Sequence, residues 1–143
     1  MTNVVVYVDG SHAADGALRY AAGSLPQAKV LILHVVPSAR AGVLGNGERI
    51  LERSRSLYVS LTGSGTEVDT RLEVGSPVPC ISAVAEEINA DAIIMGSHDL
   101  GAFPRAQALG HAAEGMVCTT TRRVILIFPD GSGIVPAAEP HEM

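Results

Sequence analysis

Four runs of apolar, largely β-branched residues constrain this chain more than anything else in it. They are Asn3 to Val8 (NVVVYV), Lys29 to Val36 (KVLILHVV), Ala92 to Met95 (AIIM) and Arg123 to Phe128 (RVILIF). Each has the length of a strand and lacks the polar–apolar alternation of a sheet with one wet face, so each reads as a strand covered on both sides. A fifth run, Thr66 to Val74 (TEVDTRLEV), does alternate, which places it near a sheet edge.

Helical patterns separate these strands. Ala13 to Ala22 carries Ala14, Leu18 and Ala21 on one face, with Ser11 or His12 near its N-cap. A second helix is expected from about Gly47, with Ile50, Leu51, Leu57, Tyr58 and Leu61 on its apolar side, after a small and flexible segment from Ser38 to Gly47. Gly63-Ser64-Gly65 ends it. A third spans Val78 to Asn89 with the stripe Ile81, Val84, Ala85 and Ile88, and a fourth lies near Gly110 to Thr119.

Strands and helices alternating in this way define an α/β fold. The expectation is one flavodoxin- or Rossmann-like three-layer sandwich, a five-stranded mainly parallel sheet with about four helices, over residues 1–128. Right-handed crossovers then bring the ends of the first and fourth strands together, and so Asp9 toward Gly96. The tail from Pro129 to Met143, rich in Pro, Gly and acids, is expected to be flexible.

Composition excludes several functions. With 10 Lys and Arg against 15 Asp and Glu, the formal charge is -5, so no broad cationic face awaits a nucleic-acid backbone. Cys80 and Cys118 form neither a C-x-x-C pair nor a disulfide framework, which fits a reducing compartment, and the expected location is the cytoplasm. No apolar stretch approaches the length of a membrane span, and no targeting segment stands at the N-terminus.

The segment Ala92 to His111 (AIIMGSHDLGAFPRAQALGH) runs a buried strand into a small-residue loop ahead of a helix. In an open α/β sheet that is where an anionic ligand meets backbone N–H groups and a helix N-terminus.

The residues resemble the universal stress protein family over about 3 to 128. The matching features are VVVYVDGS, LILHVV and EVGSPVPCISAVAEEINADAIIMGSH. The resemblance implies five parallel-type strands, a homodimer through the last strand and, in one branch of the family, ATP at the fourth-strand loop. That branch carries G-x-x-G, nine residues, then G-[ST], with a further Ser or Thr two positions on. Here Gly96 and Gly110 match the outer glycines, but Asp99 takes the place of the middle one. The segment Leu100 to Leu109 is one residue too long, and His111 and Ala113 replace the hydroxyl residues. A carboxylate about 5 Å from a polyphosphate repels it by a few kcal/mol at most, and a side chain at Asp99 forbids glycine-only backbone angles. Each lost hydroxyl donor removes about 1 kcal/mol or more. Arg105, a protonated His111, or Gly101 in a shifted register would compensate. Asp9 and Val35 match the family's nucleoside-side positions, so adenosine or AMP is easier to accommodate than ATP. The candidate nucleotide site is therefore Asp9, Val35, Gly96, Ser97, Gly101 and Gly110, with no obligatory cofactor.

Other polar residues have plainer readings beside the functional ones. Asp9 could serve a ligand or the following helix. His34 reads as a hydrogen-bonded core residue. His98 and His111 lack a third metal ligand at a convincing spacing. Cys80 could be a redox-sensing thiol near a helix start, but reads better as a small hydrophobe. Ser11 and His12 do not aim at one point as nucleophile and base would, and Glu86 and Glu87 point apart on a solvated helix face.

No catalytic constellation emerges. The leading expectation is a non-enzymatic stress-response domain that acts as a homodimer on an unknown regulatory protein partner, with a degenerate nucleotide loop. An adenine-nucleotide sensor, and a small enzyme acting on a phosphorylated metabolite, are the alternatives.

Overall fold

The computed structural model describes residues 2–63, 66–96, 122–127 and 133–134. In chain order the elements are β1 (Asn3–Tyr7), α1 (His12–Ser24), β2 (Lys29–Val36), α2 (Ala41–Thr62), β3 (Val68–Val74), α3 (Pro77–Glu87), β4 (Ala92–Gly96), β5 (Arg123–Ile127) and β6 (Gly133–Ile134). They form one sheet in the order β3-β2-β1-β4-β5-β6. The first five strands are mutually parallel, as the uninterrupted apolar runs predict, and β3 lies at an edge as its alternation predicts. The expected fourth helix, and the candidate residues Ser97, Gly101 and Gly110, lie outside the described residues.

Apolar side chains divide between two layers. Val4, Val6, Val30, Ile32, Ile94, Ile125 and Ile127 pack under α1 and α2, while Val5, Tyr7, Leu33, Val35, Ile93 and Met95 pack against α3. Sealing both faces of the sheet removes each large apolar side chain from water, worth about 1.5–3 kcal/mol apiece. Polar clamps fix the layers. Asp15, buried on α1, accepts two bonds from Arg53 of α2 at 3.0 and 3.1 Å. Glu86 and Glu87 do point apart: Arg122 bonds Glu86, and Arg71 of β3 bonds Glu87. The facing guanidinium groups hold both carboxyls below the ordinary range.

Two expectations change. Residues 41–47 are not a flexible segment but the first two turns of α2. Buried Gly47 lets the helix lie close on the sheet: a methyl group there would come within 2.8 Å of Leu72 Cδ1 and 2.9 Å of Val36 Cγ1. Tertiary packing of that kind outweighs the poor helix propensity of the glycines. Leu61 is not on the apolar side but 44% exposed, at the end of a helix that has run past the sheet.

Two residues of the tail add a strand to the five expected. Gly133–Ile134 is a strand antiparallel to β5, with Leu126 opposite Ile134 and Ile127 opposite Gly133, so the sheet has six strands.

Candidate functional site

Strand order reverses at β1. The chain runs outward through β2 and β3, then returns to the other side of β1 with β4, pairing Tyr7 with Met95. In an open α/β sheet such a reversal marks the place, at the carboxyl ends of the strands, where a ligand crevice is expected. Three sequence-predicted site residues meet at it. Asp9 follows the end of β1, Gly96 ends β4 level with Val8, and Val35 lies opposite Asp9 when the register Tyr7↔Leu33 is continued.

Asp9 is exposed, and its Oδ1 accepts the Ser11 N–H at 3.0 Å. Ser11 Oγ in turn accepts the Ala14 N–H at 3.2 Å, so serine rather than Asp9 is the helix cap. Gly10 makes this turn possible with φ of 87°, which a side chain would resist. One carboxylate oxygen thus holds the turn at the mouth of the crevice.

Val35 contributes through its backbone. Leu33 O accepts the Val8 N–H at 2.9 Å. By the alternation of a parallel ladder, the peptide groups of Val35, two residues on, face the same side, past the end of β1. His34 points the other way, buried, with its Nδ1–H donating to Val8 O at 2.6 Å. It is the core histidine that the sequence suggests.

Gly96 is required by packing. A β-carbon there would sit 2.5 Å from Ala13 C and 2.6 Å from Ala13 O, so the strand end lies directly on the first turn of α1. The glycine draws the helix N-terminus to the edge of the crevice.

Sequence reasoning missed Tyr7. Two residues before Asp9, it shares that residue's face of β1, a relation legible from strand period alone. It is buried, and its phenol is pushed up to about 12, first by burial, then by the Asp9 carboxylate and by Cys80. The group is therefore a neutral hydroxyl at physiological pH. Cys80 itself is half-buried, its Sγ 3.8 Å from Val74 O. Among the described residues no three His, Cys, Asp or Glu side chains gather as a metal site, and no helix is long and apolar enough to cross a membrane.

Tyr7 has a measurable signature. A phenol with a higher pKa folded than unfolded keeps its proton better in the native state, so its contribution is complete below pH 10 and is lost as pH rises toward 12. Two units correspond to about 2–3 kcal/mol. In chemical denaturation between pH 9 and 12, stability should fall more steeply for the wild type than for Tyr7→Phe; parallel curves would show Tyr7 to be solvated.

The parallel sheet with its strand order reversing at β1 is a doubly wound α/β domain, a class whose ligands bind at the switch point. Comparison with known proteins makes the class specific. A profile of the universal stress protein family matches residues 1–127, and the chain belongs to that family. A Staphylococcus aureus (strain USA300) protein assigned to the universal stress proteins is 34% identical over 128 residues, covering 80% of this chain and 76% of its own. Among solved structures, a universal stress protein from Archaeoglobus fulgidus superimposes with a TM-score of 0.75 at 24% identity, covering 88% of this chain and 98% of that one. A structure of the universal stress protein from the same organism in complex with dAMP has a TM-score of 0.72 at 25% identity, with 88% and 97% covered.

Proposed function

We propose that this universal stress domain binds an adenine mononucleotide at the switch-point crevice, and that it works as a cytoplasmic regulatory homodimer rather than by turnover. The observation that carries the reading is the convergence of Asp9, the Val35 peptide and Gly96 at the carboxyl ends of β1, β2 and β4. An exposed carboxylate accepts hydroxyl donors of a ribose, and a backbone N–H and C=O pair facing one way suits the edge of a purine. The relative that binds dAMP supports an adenine nucleotide as the ligand class. Preference for the monophosphate follows from the departures from the family's ATP motif: Asp99 stands in place of its middle glycine, and His111 and Ala113 replace its hydroxyl residues. The non-enzymatic reading rests on the sequence, which offers no catalytic constellation and no base or magnesium ligand beyond Asp9 and Asp99.

The test begins with protein purified without nucleotide, denatured, and analysed for released small molecules by mass spectrometry. Titration calorimetry with AMP and ATP follows. Micromolar AMP binding, with ATP at least tenfold weaker, is expected. Asp9→Ala should weaken AMP about tenfold, the loss of charge-assisted hydrogen bonds worth about 1.5 kcal/mol. Absence of binding at millimolar AMP would defeat the nucleotide reading and leave the dimer as the functional unit, and tighter ATP would defeat the proposed preference.

A further inference from the structure

The expected dimer edge is not open in this chain. β5 has β4 on one side and β6 on the other, and β6 takes the backbone positions of Leu126 and Ile127. We propose that β6 is a built-in competitor for that edge: a second copy of this chain pairs through β5 only when β6 leaves it, so the tail sets the concentration at which the domain dimerises. The inference rests on the homodimer reading above and adds its regulation.

Register makes the competition specific. A two-fold interface is self-complementary. Two β5 strands pairing antiparallel about Ile125 would oppose Arg123 to Ile127 and Val124 to Leu126 of the second copy. Leu126 and Ile127 already lie opposite Ile134 and Gly133, so β6 occupies the outer side of β5 along these two positions, and a strand offers that side of its backbone only once. A register that spared them would leave Arg123 to Ile125 alone, three of the five residues of β5.

The balance between the two partners is adjustable. β6 is two residues long, which makes it weak, but only five residues separate Ile127 from Gly133. A short connection holds a competing strand at an effective concentration in the millimolar range. A second copy must exceed that local competitor, though once bound it can use the whole of β5 rather than two positions. A weak strand on a short tether therefore suppresses the dimer without abolishing it.

Side-chain changes on β5 are poor probes. Ile125 is 6% exposed and Ile127 fully buried beneath α1 and α2, so lysine there would disrupt the core and lose the dimer by unfolding. The experiment acts instead on the backbone of β6. Full-length protein carrying Gly133→Pro and Ile134→Pro, which cannot donate to a ladder, is compared with the wild type by analytical ultracentrifugation. Amide exchange of wild-type residues 126–127 and 133–134 is followed across the same concentrations. Expected are a dimer dissociation constant at least tenfold lower in the variant, and wild-type residues 133–134 losing protection as dimer forms while 126–127 keep theirs. Equal dissociation constants with 133–134 protected in the dimer would overturn the competition while leaving the dimer standing. Wild type and variant both monomeric at millimolar concentration would overturn it together with the homodimer.

Discussion

Gly96→Ala is expected to cost about 3 kcal/mol and to lower the thermal midpoint by roughly 10 °C. The added carbon would lie 2.5–2.7 Å from the carbonyl carbon, oxygen and Cβ of Ala13. Two of these are main-chain atoms in the first turn of α1, so no rotamer change relieves the overlap. Either α1 or the end of β4 must shift, and both line the crevice. Gly23→Ala and Gly42→Ala serve as controls, because nothing lies within 4 Å of a methyl group at either position. They should be neutral or stabilising by up to about 1 kcal/mol, the helix-propensity gain. If Gly96→Ala behaves like these two, α1 is not seated on β4 and the crevice is wider than described. The substitution should also weaken AMP binding in the protein that remains folded.

Arg53→Met is expected to destabilise the domain by about 2–3 kcal/mol in urea denaturation. The side chain of Asp15 is only 12% exposed and takes both oxygens to Arg53, so removal of the arginine strands a carboxylate between two helices. The figure stands below that for a fully buried pair because Arg53 is 53% exposed and water can reach the vacated position. Replacing both partners, Asp15→Leu with Arg53→Met, should recover most of the loss, since the destabilisation comes from the unpaired charge rather than from the absence of the pair. Lys29→Met offers the contrast. Its ion pair with Glu67 has side chains 44% and 60% exposed, and its loss should change stability by less than about 0.5 kcal/mol. Equal effects of Arg53→Met and Lys29→Met would mean that Asp15 is hydrated in the folded protein.

A six-stranded sheet whose last member comes from the tail also changes what regulation of this domain would look like. The proposed nucleotide and dimer sites fall on different parts of the sheet, one at the β1–β4 junction and the other along β5. β4 pairs with both β1 and β5 and ends in Gly96. Among the described strands, β4 is therefore the one that joins the two proposed sites.

Strand period and length were enough to determine the parallel core from the residues alone. NVVVYV, KVLILHVV, AIIM and RVILIF carry apolar side chains on both faces, and such a strand is stable only between two layers of helices. A flavodoxin- or Rossmann-like strand order then makes β1 and β4 neighbours, which is why Asp9 was expected near Gly96, whereas Val35 entered through the family resemblance. Tertiary structure alone decided what depends on close approach between distant segments. Gly47 against Leu72 and Val36 turns a glycine-rich stretch into helix, and Gly96 against Ala13 gives a glycine that looked like a ligand contact an equally strict packing role. Asp15 and Arg53 are 38 residues apart and reveal their bond only when α1 and α2 lie side by side. The tail is the clearest case: two residues without periodicity become a strand because β5 leaves an unsatisfied backbone edge within reach, a property of the assembled sheet and not of residues 133 and 134.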